Sequence, residues 1–299
     1  MIIVQLLGGL GNQMFQYALG KHLATLNNCE LKLDLEEFTQ DPLRNYHLNF
    51  FCLPQTFAKP SEINHLKFGH NIKPIAKIET FFNRVCRRLT GKKPIKKISY
   101  VIEKEMFKFN TKILGLRGHK YLEGYWQSEK YFSAIRKILL DNFTLKNEAS
   151  TQNSSFLKQI RACNSVSLHV RRGDYITDPG TKKLYACCNS GYYQSAIEAI
   201  NSRIATPRFF VFSDDPDWAE SNLVIENKVI IKGNNAENAH EDLRLMQNCR
   251  HHIIANSSFS WWGAWLNQNS DKIVIAPKTW INLPKVDTRD LIPDGWLRI

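Results

Sequence analysis

The second half of the chain alternates apolar, β-prone runs with segments of helical periodicity, and this alternation constrains the fold more than any other feature. The apolar runs predict strands at 166–170, 209–213, 229–232, 252–255 and 273–276. The segments between most of them predict helices at 192–203, 217–223, 241–249 and 258–268. Strands and helices that alternate in this way form a parallel sheet with helices on both faces. The second half therefore predicts a Rossmann-like α/β domain.

The chain opens with a βαβ pattern of its own. Residues 1–7 predict a buried strand, 8–13 a glycine-rich turn, 14–26 a helix and 31–35 a second strand. The turn has the sequence Gly-Gly-Leu-Gly-Asn-Gln, which differs from the G-x-G-x-x-G spacing of a dinucleotide-binding turn. Its glycines still let a ligand approach the backbone at a helix N-terminus, and its Asn-Gln pair suits the hydroxyl groups of a sugar.

A polar segment separates the two patterns. Residues 147–155 have the sequence Asn-Glu-Ala-Ser-Thr-Gln-Asn-Ser-Ser, which is typical of a linker. A chain of 299 residues is long enough for two domains of ordinary size. We therefore expect two facing Rossmann-like domains, at 1–150 and 151–299, with a cleft between them.

The stretch from 38 to 145 gives the weakest signal because prolines interrupt it repeatedly. Short helices are predicted between the prolines, so the first domain is expected to carry a helical insertion. Residues 121–126 predict a strand whose terminal aromatic residues form either a platform for a sugar ring or part of the core, and 128–140 predict a helix.

The composition is that of a globular protein, with 43% apolar and 11% aromatic residues. No stretch reaches the roughly 18 apolar residues that a membrane span requires. Met1 leads directly into an apolar run without a basic segment, so no signal peptide is expected. The seven cysteines are scattered and form no C-x-x-C motif, which predicts free thiols in a reducing cytoplasm.

The net charge of +12 favours an anionic partner. Residues 84–97 hold seven basic side chains and no acidic one. Such a run suits peripheral contact with anionic headgroups at the inner membrane face, at about 1 kcal/mol for each basic residue. A solvated insertion is the other interpretation. The chain lacks zinc-finger spacings and an RNP-like motif, which disfavours nucleic acid as the partner.

Two adjacent arginines follow the strand predicted at 166–170. Ligands of an open α/β sheet bind beyond the carboxyl ends of its strands, where Arg171 and Arg172 are expected. Guanidinium groups bind phosphate through two parallel hydrogen bonds and stay charged at every physiological pH. The pair therefore indicates a phosphate site, and the alternative is an arginine–aspartate pair that only fixes a surface loop.

Further polar clusters follow the other predicted strands. Residues 213–217 read Ser-Asp-Asp-Pro-Asp, and Asp242 lies at the start of a helix. Ser257 and Ser258 lie where the strand at 252–255 runs into a helix, so they predict a helix cap whose free N–H groups suit a phosphate.

Asp215 and Asp217 leave a second interpretation open. An Asp-x-Asp motif after a strand is typical of metal-dependent transferases that bind Mg²⁺ or Mn²⁺. Against this, Pro216 and Trp218 mark a helix start, at which Asp217 would act as a cap. The arginines also offer a way to neutralise a diphosphate without a metal.

Four motifs together resemble the bacterial α-1,2-fucosyltransferases, a glycosyltransferase family 11-like group. They are His-Val-Arg-Arg-Gly-Asp-Tyr, Gly-Gly-Leu-Gly-Asn-Gln-Met-Phe-Gln-Tyr-Ala, Phe-Val-Phe-Ser-Asp-Asp and Asn-Ser-Ser-Phe-Ser-Trp-Trp-Gly-Ala-Trp-Leu. The resemblance spans Met1 to about Pro277, and the motifs follow one another in the same order as in that family. The resemblance implies a GT-B type fold, GDP-β-L-fucose as donor, inversion to an α linkage, and no metal or other cofactor. It extends more distantly to α-1,6- and protein O-fucosyltransferases.

The resemblance also implies roles for residues at the strand ends. Arg171 would bind the β-phosphate and stabilise the departing GDP, and Arg172 would support the local charge network. His169 and Asp242 would read the guanine base. The remaining donor-binding residues would be Ser257 and Ser258 at the phosphate, Asn12 opposite the fucose, and Asp215.

The implied reaction needs an acceptor and a way to remove its proton. Asp174 is the nearest candidate base in the sequence, and orienting one of the arginines is an equal alternative for it. A strongly dissociative transfer would have little need for a base. The acceptor is expected to be the 2-hydroxyl of a terminal galactose, on a glycan of O-antigen or surface polysaccharide that is carried by a lipid. Residues 36–145 of the first, acceptor-side domain would select it. A fucosyltransferase of other linkage or acceptor remains an alternative.

Overall fold

The computed structural model describes residues 1–39, 44–69, 99–185 and 188–299, apart from the side chain of Asp174. A first parallel sheet has the strand order β2-β1-β4-β3. Its strands are β1 (Ile2–Gln5), β2 (Leu31–Asp34), β3 (Tyr100–Ile102) and β4 (Lys120–Glu123). The inner strand β1 begins with three apolar, buried residues before the partly buried Gln5, as expected for a strand that is covered on both faces.

A second parallel sheet has the order β10-β9-β8-β5-β6-β7. Its strands are β5 (Asn164–Val170), β6 (Pro207–Ser213), β7 (Lys228–Ile230), β8 (His251–Ile253), β9 (Val274–Ala276) and β10 (Leu297–Arg298). All five strands predicted in this half are present, and their parallel pairing confirms the α/β class. β10 was not predicted, since two residues give no periodicity.

Helices connect the strands on both sheets. The described α-helices are α1 (Leu10–Leu26), α2 (Pro60–Phe68), α3 (Thr111–Leu114), α4 (Arg136–Asn142), α5 (Thr151–Arg161), α6 (Gly173–Thr177), α7 (Pro179–Leu184), α8 (Ser190–Asn201), α9 (Pro216–Asn222), α10 (Ala239–Asn248) and α11 (Ser258–Leu266). Short 3₁₀ helices lie at Glu36–Thr39, Leu48–Phe50, Glu129–Tyr131 and Ser133–Ile135. Side-chain caps begin several of the α-helices, for example Asn189 at α8 and Ser257 at α11.

Some helix starts were predicted wrongly. α1 begins at Leu10 rather than at residue 14. The sequence did not predict this first turn because it contains glycine and asparagine, which are weak helix formers, and packing stabilises it instead. The segment 147–155 is not a linker throughout, since Ser150 accepts a hydrogen bond from the N–H of Asn153 and caps α5. Asp215, not Asp217, is the residue that caps α9.

Two predictions for the middle of the chain were also wrong. The strand predicted at 121–126 ends at Glu123. Trp126 beyond it is only 1% exposed, which agrees with core packing, one of the two interpretations of these aromatic residues. The helix predicted at 128–140 consists of two 3₁₀ turns followed by α4, which starts at Arg136. Local hydrogen bonds of Ser128 and the burial of Phe132 override the helical pattern there.

An aromatic core joins the two halves of the chain. Phe15 of α1 lies with its ring centre 4.5 Å from that of Trp261 and 5.0 Å from that of Trp262, both in α11. Phe132 stacks on Trp262 with centres 5.3 Å apart. These rings belong to one buried cluster that draws residues from both sides of position 150. The domain boundary at 150 itself stays a prediction.

Several features of the sequence lie wholly or partly outside the described residues. The basic run at 84–97 lies outside them, so membrane contact through it stays a prediction. Cys86 and Cys187 also lie outside, whereas the five cysteines within the described ranges are free thiols, as predicted. Among the described helices, none combines the length and apolar character that a membrane crossing requires.

Candidate active site

The loop after β5 places Arg171 at the carboxyl edge of the second sheet. Its Nη1 atom lies 2.9 Å from Oδ2 of Asp214, which follows the neighbouring strand β6. Its Cζ atom lies 5.7 Å from the centre of the Tyr175 ring. The Arg171 side chain is 29% exposed. The guanidinium is therefore held by an aspartate and a ring while part of it remains open to solvent.

Arg172 folds back onto its own half of the chain. Its backbone N–H donates to Oδ1 of Asp214 over 2.8 Å, and its Nε donates to Oδ2 of Asp215 over 3.1 Å. The guanidinium Cζ lies 4.1 Å from the centre of the Trp218 ring. Arg172 thus forms the arginine–aspartate pair that fixes a loop, and its place in a charge network around Arg171 is consistent with this geometry.

His169 lies near the end of β5 and is buried. Burial and the neighbouring Arg171 charge lower the pKa of its imidazole to about 3, so the ring is neutral at physiological pH. Nδ1 has no hydrogen-bond partner within the described ranges. A buried ring nitrogen without a hydrogen-bond partner carries a desolvation cost unless a bound ligand supplies that partner.

Asp242 lies in the first turn of α10 and accepts a hydrogen bond from Nδ2 of Asn234 over 2.7 Å. Asn234 in turn exchanges hydrogen bonds with Asn153 of α5. Burial raises the pKa of the Asp242 carboxyl group to about 6, although the bond from Asn234 opposes this shift. No hydrogen bond joins Asp242 to His169 in the described part of the chain, so their joint role at a base stays a prediction.

The N-terminus of α11 lies beside the arginine loop. β8 runs next to β5, and Ser257 just after β8 caps α11 by accepting from the N–H of Phe259. The Tyr175 hydroxyl donates to the backbone oxygen of Asn256 over 2.9 Å, which ties the two loops together. The helix N-terminus and Arg171 therefore share one edge of the sheet, an arrangement that suits an anion.

Ser258 and Asn12 connect the two halves of the chain. The Ser258 hydroxyl donates to Oδ1 of Asn12 over 2.7 Å. α1 and α11 approach so closely that a Cβ atom on Gly11 would lie 2.5 Å from the carbonyl carbon of Ser258. The first turns of α1 and α11 are thus in direct contact, and the position of Asn12 opposite the fucose stays a prediction.

One aspartate of the possible metal motif, Asp215, is already engaged. Asp215 accepts from Nε of Arg172 and from the N–H of Trp218. In the described ranges, no group of three or more His, Cys, Asp or Glu side chains could hold a metal ion. The side chain of Asp174 lies outside the described part of the chain, so its role as a base stays a prediction.

One residue of this region was missed in the sequence. Gln127 follows β4, and its Nε2 donates to Oδ1 of Asn12 over 2.7 Å. Gln127 lies just beyond the end of a parallel strand, where functional side chains concentrate. The end of the strand predicted at 121–126 could therefore have drawn attention to it.

Two facing Rossmann-like halves with parallel sheets form a GT-B type fold. The structure titled NodZ α-1,6-fucosyltransferase soaked with GDP-fucose aligns with a TM-score of 0.50, at 14% identity over 89% of this chain and 92% of that chain. The selenomethionine form of fucosyltransferase NodZ from Bradyrhizobium aligns with a TM-score of 0.52, at 14% identity over 88% of this chain and 91% of that chain. At this identity the likeness shows the fold alone.

The sequence identifies the family. Residues 1–299 match the profile described as Glycosyl transferase family 11, and the chain belongs to that family. The Escherichia coli protein named α-1,2-colitosyltransferase is 33% identical over 302 residues, which cover 100% of this chain and 98% of the relative. The Escherichia coli O-antigen biosynthesis glycosyltransferase WbnK is 31% identical over 308 residues, 98% of each chain.

A mammalian relative matches over a shorter stretch. The galactoside 2-α-L-fucosyltransferase SEC1 of Bos taurus is 30% identical over 152 residues, which cover 48% of this chain and 41% of the relative. The protein is therefore a family 11 glycosyltransferase. Its relatives are named as an α-1,2-colitosyltransferase, an O-antigen biosynthesis glycosyltransferase and a galactoside 2-α-L-fucosyltransferase.

Proposed function

We propose that the protein transfers L-fucose from GDP-β-L-fucose, with inversion, to the 2-hydroxyl of a terminal galactose. The observation that carries this proposal is the edge formed by Arg171 and the N-terminus of α11. Asp214 holds the guanidinium at 2.9 Å, and Ser257 caps the helix beside it. A guanidinium and free helix N–H groups on one edge form a cradle for a diphosphate.

The cradle acts on the leaving group. When the bond between C1 of fucose and the phosphate oxygen breaks, negative charge builds on the β-phosphate of GDP. Arg171 and the positive end of α11 are fixed before the reaction, so they stabilise this charge without reorganising. Loss of one such fixed donor typically costs about 2.7–4 kcal/mol of transition-state stabilisation. Because these groups neutralise the diphosphate themselves, the proposed reaction uses no metal and no cofactor.

Other residues would bind the rest of the donor. His169 presents an unpartnered Nδ1 atom, and the carboxylate of Asp242 suits the N1 and N2 donors of guanine. Asn12 would contact the sugar from the opposite half. Asp174 would take the proton of the acceptor hydroxyl, and if it does not, the transfer is dissociative and needs little base.

The relatives support the choice of acceptor. A relative with full coverage is named for O-antigen biosynthesis, and another is named a galactoside 2-α-L-fucosyltransferase. We infer that the acceptor is a galactose-terminated glycan on the way to O-antigen or surface polysaccharide. A lipid-linked glycan would bring the enzyme to the inner face of the membrane.

A second donor is favoured by one observation. The relative at 33% identity and full coverage is named an α-1,2-colitosyltransferase. Colitose is fucose without its 3-hydroxyl group, so the same cradle serves GDP-colitose equally well. The guanosine diphosphate portion of the donor and the chemistry at C1 are the same in both cases.

The test is GDP release from GDP-fucose and, separately, from GDP-colitose, with a panel of β-galactosides in the presence of EDTA. We expect turnover with a β-galactoside and a fall of roughly 100- to 1,000-fold in Arg171→Ala. Arg203→Ala is the matched control, since Arg203 is exposed just after the end of α8 and its side chain donates only to Ala199 and Ser202 within the described residues. The product linkage is assigned by NMR.

Each outcome of this experiment tests a different part of the proposal. Turnover with GDP-colitose alone corrects the donor and keeps the site. Activity that EDTA removes and Mn²⁺ restores favours the metal-dependent reaction at Asp215 and Asp217. An Arg171→Ala enzyme as active as the Arg203→Ala control contradicts the assigned role of the arginine, and a folded wild type that binds no GDP contradicts the function as a whole.

A further inference from the structure

Gln127 reaches from the loop after β4 into the contact between the two halves. Its Nε2 donates to Oδ1 of Asn12 over 2.7 Å, and the hydroxyl of Ser258 donates to the same oxygen over 2.7 Å. The three residues come from three elements, namely the β4 loop, the first turn of α1 and the first turn of α11. Gln127 is only 8% exposed, so water competes little for its hydrogen bond.

These two hydrogen bonds fix the orientation of the Asn12 amide. Because Oδ1 accepts from both Gln127 and Ser258, Nδ2 points away from them with two N–H donors. Nδ2 has no acceptor among the described residues, while a Cβ atom on Gly8 would lie 2.7 Å from it. The glycine therefore leaves free the space beside the amide. A neutral N–H pair is suited to the hydroxyl or ring oxygen of a sugar.

The loop that carries Gln127 is itself held in an unusual conformation. Trp126 has a φ of +56°, a left-handed value that is uncommon for a bulky residue. The Glu103 carboxylate accepts from the N–H groups of Tyr125 and Trp126 over 2.7 and 3.2 Å. A backbone conformation of this kind persists only where its surroundings impose it, and such sites concentrate near functional groups.

We propose that Gln127 is a positioning residue for sugar transfer, acting through Asn12. Gln127 holds the amide of Asn12 so that Nδ2, and not Oδ1, is presented to the sugar of the donor. Ser258 completes the arrangement from the other half, next to the phosphate turn capped by Ser257. This inference rests on the proposed function, since it assumes a nucleotide sugar in the cleft.

The experiment is a double-mutant cycle of Gln127→Ala and Asn12→Ala, with Gln127→Glu as a third variant. A carboxylate cannot donate to Oδ1, so in Gln127→Glu the Asn12 amide turns and presents its oxygen to the sugar. We expect kcat to fall roughly tenfold or more, since a misplacement of about 1 Å can cost about 100-fold. The affinity for GDP, which lacks the sugar, stays within about twofold of wild type. In the Asn12→Ala background, Gln127→Ala has no further effect on kcat.

Ser128→Ala is the matched control, because Ser128 is the next buried residue and its hydroxyl donates to the backbone oxygen of Asp290 instead. It is expected to lower the melting temperature as Gln127→Ala does, with kcat unchanged. Additive effects of the two alanine variants on kcat, or a Gln127→Glu enzyme with wild-type kcat, would overturn the positioning role. A wild type without turnover of any GDP-sugar contradicts the proposed function instead, and the two failures are thereby distinguished.

Discussion

Single side chains at the strand ends have ionisation properties that can be tested one by one. His169 and Asp242 are both largely removed from water, and burial favours the neutral form of each. The consequences differ, because the histidine is neutral at physiological pH whereas the aspartate titrates just below it. If Asp242 binds the guanine base as proposed, its proton is the one that is linked to nucleotide binding.

Asp242 predicts a pH-dependent affinity for the donor. Its pKa is raised to about 6, and only the carboxylate accepts from both N1–H and N2–H of guanine. We expect the affinity for GDP-fucose to rise as pH increases through 6 and to level off above about pH 7. Titration calorimetry between about pH 5 and pH 8 measures this, and no phosphate of the sugar nucleotide titrates in that window.

Asp242→Asn provides the control for this prediction. It should weaken binding at neutral pH and abolish the dependence on pH. A wild-type affinity that is flat between about pH 5 and pH 8, or a variant that keeps the slope, would contradict the assignment. The same shift acts oppositely on stability. The folded state binds more protons than the unfolded state between pH 3.8 and about 6, so the contribution of Asp242 to stability falls as pH rises through this window.

At the scale of elements, most of the strands and helices that leave a periodic pattern of apolar residues were predicted from the sequence. The five predicted strands of the second sheet were found, because continuous apolar runs flanked by turn residues identify buried strands. The first turn of α1 was missed, since Gly11 and Asn12 are favoured there by contact with α11 and not by local preference. The site divides in the same way. Arg171 was predicted from its strand end. Gln127 and Ser258 are far apart in the sequence and meet only through Asn12, so their hydrogen bonds leave no local pattern.

The contact between α1 and α11 predicts that Gly11 cannot be replaced by a larger residue without a loss of stability. A Cβ atom on Gly11 would lie 2.5 and 2.6 Å from backbone atoms of Ser258 and Phe259, which cannot move as a side chain can. Gly11→Ala should therefore destabilise the protein by about 1–3 kcal/mol and separate Asn12 from Ser258. Urea unfolding and kcat, measured on the same preparation, test both effects.

Gly20 in the same helix is the matched control. A Cβ atom there would lie 2.8 Å from Cδ1 of Leu31, the end of a flexible side chain. Gly20→Ala should cost less than Gly11→Ala, because the leucine can rotate and alanine gains helix propensity of about 1 kcal/mol. Equal stability of the two variants would show that the helices do not approach as closely as the structure places them.

At the scale of the whole molecule, side-chain packing and hydrogen bonds join the two halves in addition to the polypeptide link between them. Besides the aromatic core, Arg136 donates to the backbone oxygens of Trp265 and Asn267 at the end of α11. Its guanidinium lies 4.2 Å from the centre of the Trp265 ring. A cation at the carboxyl end of a helix also stabilises the helix dipole. α11 belongs by sequence to the second half, yet Trp261 and Trp262 on it pack against Phe15 and Phe132 of the first half.

This shared packing predicts that the two sheets unfold together. Ile197 of α8 lies in a buried cluster formed only by residues of the second half, so Ile197→Ala should remove about 2–5 kcal/mol from that half. If the halves are one cooperative unit, backbone amides of β1 lose as much protection from hydrogen exchange as those of β5. The reciprocal variant, Leu19→Ala in α1, should lower the protection from hydrogen exchange equally in both sheets, since Leu19 lies in the cluster shared by the halves. Protection of β1 that is unchanged by Ile197→Ala would mean that the halves open independently. In that case the aromatic contact is a hinge between two domains that each retain a stability of their own.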